Sequence, residues 1–230
     1  DAFDVSGELI IFNGLLGITS TENDVFDVDG GITIWDGIFI LDAGKHGLTS
    51  ESDIKILNGD IDLVSKRDGF NSDMSVSIEN GEINIEAGEE GFDVKGQLYV
   101  ADGEIDITSF GDVFDISGDI FIEGGNFNLK STSGEDDGMD SGGSITINGG
   151  TFAIEAGKDG ITADSNITIE DGIFNINSGS DGLDAGEYVS IENGTFLIVA
   201  DNDGIKGNDV VINGGEIDVT SIAETLDGKN

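Results

Sequence analysis

The chain has 230 residues, of which 48 are Asp or Glu and nine are Lys or Arg, giving a formal charge of −39 at pH 7. Such a surplus excludes nucleic acid as a partner, because a phosphate-binding surface needs a basic patch, and it disfavours anionic membranes. The absence of cysteine removes disulfides and thiol chemistry.

A hydrophobic content of 37% and a strict period of about 22 residues argue for a folded chain rather than an acidic disordered one. Each copy opens on an apolar column, Phe3, Phe26, Leu48, Phe70, Phe92, Phe114, Met139, Ile161, Leu183, Ile205 and Leu226. Next comes an apolar doublet whose second member falls at Ile11, Ile34, Ile56, Ile78, Val100, Ile122, Ile147, Ile169, Ile191 and Ile212. A glycine stands three residues further on, from Gly14 and Gly37 through to Gly215. Five and seven residues after the doublet, apolar residues alternate with polar ones, as in Ile83 and Ile85 or Phe152 and Ile154. Alternation by two is strand spacing. Each copy therefore predicts three short strands, and the whole predicts an all-β, single-domain parallel β-helix over residues 1–230, with about ten coils. At ~4.8 Å per coil the rod is roughly 50 Å long.

Before each recurring glycine stands Asn, Asp or Gly, as at Asn13, Asp36, Asn58 and Gly124, and both positions are expected to take left-handed backbone angles at a sharp corner. An Asn-Gly hairpin is the competing reading, but hairpins would not keep the apolar columns in phase. The chain begins and ends inside a repeat, which is expected of a fragment trimmed from a longer precursor. No stretch is apolar enough to span a membrane as a helix, and no signal peptide is visible.

Acids flank the first apolar column. Two places before it stand Asp1, Asp24, His46, Asp68, Glu90, Asp112, Asp137, Asp159, Asp181, Asp203 and Glu224, and one place after it stand Asp4, Asp27, Asp93, Asp115, Asp140, Asp184 and Asp227 among others. Stacking turns these into two columns of outward carboxylates. Like charges ~5 Å apart repel by about 1 kcal/mol in water and more at a protein surface, so an offset is required. A hard divalent cation supplies one, since Ca²⁺ takes six to eight oxygen ligands. The densest patch joins Asp112 and Asp115 to the enlarged turn with Glu135, Asp136 and Asp137, then Asp140 and Asp159. A second candidate site uses Asp181, Asp184 and Asp203, and a third Asp1, Asp4, Asp24 and Asp27. The plainer reading is that these are turn and solubilising residues.

Aromatic residues Trp35, Tyr99, Phe121 and Tyr188, with Phe12 and Leu57, are expected on the outer side of the doublet strand, with Ile10, Ile38 and Ile40 nearby. Exposed rings on a flat strand face suit sugar rings, whereas the cluster in the first coils equally suits a cap. Signals for catalysis are thin: His46 sits in a ladder slot, and Lys158, Lys95, Lys130 and Arg67 are the bases a calcium-assisted lyase could use.

The segments 136–152 (Asp136-Asp137-Gly138-Met139-Asp140 through Asn148-Gly149-Gly150-Thr151-Phe152) and Ser180-Asp181-Gly182-Leu183-Asp184-Ala185 resemble a bacterial family described as carbohydrate-binding domain-containing proteins, related in fold to calcium-dependent polysaccharide lyases. The resemblance runs through the repeats of the whole chain. It implies a right-handed β-helix, surface calcium ions, secretion, and binding of cellulose or acidic plant polysaccharide. The family's acidic positions carry over to Asp137, Asp140, Asp181 and Asp184, while Thr162 and Lys206 depart from the pattern. The expectation is a secreted, monomeric, calcium-binding protein that holds plant cell-wall polysaccharide without catalysis. A calcium-dependent pectate lyase and an adhesin-like stalk are the alternatives.

Overall fold

The computed structural model describes residues 1–222, together with the backbone of the strand 224–228. The side chains of Glu224, Leu226 and Asp227, read above as part of the columns, lie outside the described residues.

Each copy of the repeat makes one coil with three strands, and equivalent strands of successive coils pair in parallel. The result is three sheets along one solenoid: sheet A with 11 strands, and sheets B and C with 10 each. Strands of sheets A and B are mostly three residues long, as in Phe92–Val94 and Leu98–Val100, whereas those of sheet C run six, as in Glu104–Ser109. No helix is present among the described residues. Register follows the columns: Phe70 lies beside Phe92, Val100 beside Ile122, and Ile83 beside Ile105. A one-residue slip would turn these inward side chains to solvent. The three-residue insertion before Met139 stays within its turn, so Phe114 still pairs with Met139 and Asp115 with Asp140.

The core is a set of ladders. Phe70, Phe92 and Phe114 stack inside sheet A with centroids 4.7 and 5.0 Å apart. Phe127, Phe152, Phe174 and Phe196 do the same inside sheet C at 4.6 to 4.7 Å. Ring spacing thus equals coil spacing, and each ring covers the next from water. Serines close the inward columns where strands end, and Ser50, Ser72 and Ser141 donate to the carbonyls of Gly30, Ser52 and Gly118 at 2.7, 2.7 and 2.8 Å.

The corner between sheets B and C corrects one expectation. The ten recurring glycines have positive φ, from 98° at Gly215 to 153° at Gly14, but no other residue does among the described residues. The preceding Asn and Asp keep ordinary angles and use their side chains instead: Asp36, Asp102 and Asp171 each accept the N–H of the following glycine at 2.8 to 2.9 Å. The bend therefore needs one left-handed residue, and glycine alone takes it without strain.

Candidate functional site

The acidic corner lies between sheets C and A. Its Asp-Gly-apolar-Asp unit follows from the closeness of the coils, since a Cβ on Gly138 would meet the Gly160 carbonyl oxygen and Ile154 Cγ2, both at 2.5 Å. With glycine there, each preceding carboxylate reaches the backbone of the coil above. Asp137 Oδ1 accepts the Asp159 N–H at 2.7 Å, Asp159 Oδ1 that of Asp181 at 2.8 Å, and Asp181 Oδ1 that of Asp203 at 2.8 Å. Asp24 takes the N–H of His46 at 3.1 Å, and Asp112 takes that of Asp137.

This column is therefore not an outward one. Asp24, Asp68, Asp137, Asp159, Asp181 and Asp203 are buried, and Asp68 and Asp181 are only 2% exposed. Backbone donors offset part of the repulsion that the sequence assigned to a cation, because an ionised carboxylate accepting N–H bonds is stabilised in place. Neighbouring basic side chains, two of them lysines, also face these acids. Lys158 Nζ lies 2.8 Å from Asp137 Oδ2 and 3.6 Å from Asp159 Oδ2. Lys206 Nζ bridges Asp181 at 2.9 Å and Asp184 at 2.7 Å. His46 stands between Asp24 and Asp68, with ring nitrogens 3.2 and 3.4 Å from their oxygens.

Among the described residues the corner gathers four trios of acids, each with one oxygen per residue within 4.8 Å of the others. Three match the sequence-derived patches in part: Asp112, Asp137 and Asp140; Asp159, Asp181 and Asp184; and Asp1, Asp24 and Asp27. Each combines two acids of one coil with the ladder acid of the coil below. Glu135, Asp136 and Asp115 stand outside the first trio, Asp203 outside the second and Asp4 outside the third, while Asp159 belongs to the second trio and not the first. Asp68, Glu89 and Glu90 form a fourth trio that the sequence reading did not single out. Only the ladder membership of Asp68 and Glu90 hinted at it.

The trios differ in electrostatics. In the first, burial and then the neighbouring acids, offset in part by the Asp137 N–H, push Asp112 up to about 7. Burial, Asp137 and Asp115 raise Asp140 to about 6. In the second, burial would raise Asp181, but the Asp203 N–H, Lys206 and Asn202 bring it below the usual carboxylate value. Lys206 thus supplies the positive charge there. In the third, burial of Asp24 is outweighed by its bonds from His46 and Thr49, and its carboxyl is lowered. In the fourth, burial and then the adjacent Asp68 carboxylate push Glu90 up to about 8.

The first trio is thus the one in which two acids, Asp112 and Asp140, are both pushed well above the usual carboxylate range, with one lysine, Lys158, on its third member. Oxygens that all touch one Ca²⁺ can be no further apart than about 5 Å, twice the usual ion–oxygen distance, so this donor set fits calcium by type and spacing. The second trio fits less well, because an ammonium already sits on two of its three acids.

The aromatic side chains fall into separate groups. Tyr99 and Phe121 are direct neighbours on the outer face of sheet B. Trp35 pairs with Phe12, centroids 6.2 Å apart, several coils away, and Tyr188 lies towards the other end of the sheet. Ile38 and Ile40 are not beside them, since both belong to the strand Ile38–Ala43 of sheet C.

Sheet C carries a feature that the inward columns concealed. Its outer face holds two shallow troughs of about 450 and 510 Å³ on either side of the column Asp62, Asn84, Asp106 and Asn128. Asn84 Nδ2 donates to Asp62 Oδ1 at 2.9 Å, and Asn128 Nδ2 to Asp106 Oδ2 at 3.0 Å. The column takes alternate residues of the longest strands.

No curated protein and no solved structure matches the chain. A family model described as "Carbohydrate-binding domain-containing protein" matches residues 1–134, 44–182 and 132–230, which together span the whole chain. A parallel β-solenoid with the repeat unit described above, matched by that model from end to end, belongs to the carbohydrate-binding domain-containing protein family.

Proposed function

We propose that this chain works outside a bacterial cell as a non-catalytic module that holds plant cell-wall polysaccharide and takes up calcium at its acidic corner. The observation that carries the calcium half is the trio Asp112, Asp137 and Asp140, with oxygens within 4.8 Å and a single lysine among them. Family membership supports the carbohydrate half. For an acidic polymer the metal would bridge sugar carboxylate and protein carboxylate, because a protein of charge −39 repels it otherwise. For a neutral polymer the uncharged and hydroxyl-bonding parts of the outer faces carry the contact.

Lyase chemistry is the weaker reading. Proton removal beside a metal-bound uronate needs a neutral amine, and the available cations are held charged. The Asp93 contact raises the pKa of Lys95, and the Glu89 contact raises that of Arg67. Burial lowers that of Lys158, but Asp137 and Asp159 more than reverse it. Lys130 is paired with Glu155.

The test is retention on insoluble cellulose and on immobilised polygalacturonate, each with calcium and with a chelator. Retention on at least one polymer supports the reading, and chelator sensitivity on polygalacturonate supports the bridging role. Retention on neither, or release of an unsaturated, ultraviolet-absorbing product, overturns it.

A further inference from the structure

Sheet C presents a face unlike the other two. Its strands are six residues long, so each shows three outward side chains per coil rather than one. Down the middle of that face acid and amide alternate: Asp62, Asn84, Asp106, Asn128. Asn84 and Asn128 each point an amide at the acid one coil below, which fixes the side chains in line. An ordered row of acceptors and donors results, with a trough on each flank.

The chemistry of the row selects its occupant. Hydroxyl groups are the partners that both carboxylates and amides can bond, since a hydroxyl donates to the one and donates or accepts with the other. Glu82 and Glu104 line one trough and Asp42 and Glu86 the other, so both troughs are negative. A uronate or a sulfated sugar would be repelled there, whereas a neutral polyhydroxyl chain would gain charge-assisted bonds. Ile40 and Val64, 57% and 49% exposed, offer aliphatic surface to the apolar faces of sugar rings at one end of the second trough.

The spacing selects it further. One coil advances about 4.8 Å, close to the length of one residue in an extended sugar chain. The acid–amide alternation repeats every second coil, which matches a β-1,4-linked chain whose alternate residues are turned over. Resting on the proposed carbohydrate function, we infer that the outer face of sheet C is the polysaccharide site, and that a neutral, extended β-1,4-linked glycan lies along the solenoid axis over Asp62, Asn84, Asp106 and Asn128.

The experiment compares four proteins for retention on insoluble cellulose and for affinity to a soluble neutral β-1,4-linked oligosaccharide. These are the unaltered chain, the triple variant Asn84→Ala, Asp106→Ala, Asn128→Ala, the filled variant Asp106→Trp, and the triple variant Trp35→Ala, Tyr99→Ala, Phe121→Ala. All the sheet C positions face solvent, so melting temperature confirms that folding is kept. Loss of tenfold or more, roughly what two or three hydroxyl bonds supply, in both sheet C variants and not in the aromatic one bears the inference out. Unchanged affinity in the sheet C variants, or loss only in the aromatic one, overturns it while leaving carbohydrate binding intact. An unaltered chain held by polygalacturonate alone also overturns it. An unaltered chain held by no polysaccharide sinks the broader function instead.

Discussion

The carboxylate of Asp159 accepts the backbone N–H of Asp181 in the coil above at 2.8 Å, and both residues are buried. Removing that acceptor leaves a buried N–H without its partner, which costs about 1–3 kcal/mol. Asp159→Ala is therefore expected to lower the melting temperature by several degrees, on the order of 2–4 °C per kcal/mol for a chain of this size. Asp159→Asn keeps an oxygen acceptor and should recover part of the loss. Equal melting temperatures for the alanine variant and the parent, measured with a chelator present, would show that the ladder bond is dispensable.

Calcium should raise stability through the first trio. An ion at a hundred times its dissociation constant adds about 2.7 kcal/mol if it binds only the folded chain. Thermal melts with increasing calcium are expected to shift upward. The double variant Asp112→Asn, Asp140→Asn should remove most of the shift, and Lys206→Ala should enlarge it by freeing Asp181 and Asp184. A calcium response unchanged by the double variant would place the ion elsewhere.

Stability without calcium should fall as pH rises from 3.8 to about 8. Glu90 is raised from 4.5 to about 8, and Asp112 and Asp140 from 3.8 to about 7 and about 6. Burial is the first cause in each. These groups bind protons more tightly folded than unfolded, so their contribution is complete at the acid end and disappears as pH climbs through the raised values. Asp24 and Asp181 are lowered and act oppositely, losing their contribution only below about 3.8. The optimum is thus expected at about pH 4. Glu90→Gln should flatten the slope between 4.5 and about 8. Denaturant melts in chelator that show stability rising over that range would contradict the assignment.

The corner glycines should be intolerant in a way that a loop glycine is not. Gly81 has φ +132°, and a Cβ there would lie 2.6 Å from the Gly59 carbonyl oxygen. Gly81→Ala is expected to cost about 2 kcal/mol or more from strain and displacement of the neighbouring coil. Gly134, in the enlarged turn, has nothing within 4 Å of such a carbon, and Gly134→Ala should melt within about a degree of the parent. A destabilisation of similar size in both would show that the positive-φ corner is not the determinant.

The three-strand coil and its register were legible because inward residues recur without exception of type, from Ile11 to Ile212 and from Phe26 to Ile205. What the pattern did not separate was burial from direction in the corner. Asp137 and Asp140 look alike in sequence, yet the first is buried under backbone donors and the second stands half-buried beside it. Charge was read as exposure, and the glycine at 138, which lets the coils close on one another, carried the contrary signal. Lys158, read as a candidate base, proved to be a partner of Asp137. The row Asp62, Asn84, Asp106 and Asn128 is not legible in the sequence, because polar residues between core positions carry no sign of which of them line up across the coils.

Pairing between equivalent strands has a mechanical meaning. Every interstrand bond in the three sheets joins one coil to the next. Tension applied from tip to tip therefore loads successive coil junctions in series, each sharing the force among its own few bonds. With contacts only between neighbouring coils, such a rod is expected to open from a terminus, one turn at a time. A pull applied sideways along the rod would instead be shared among several coil junctions at once.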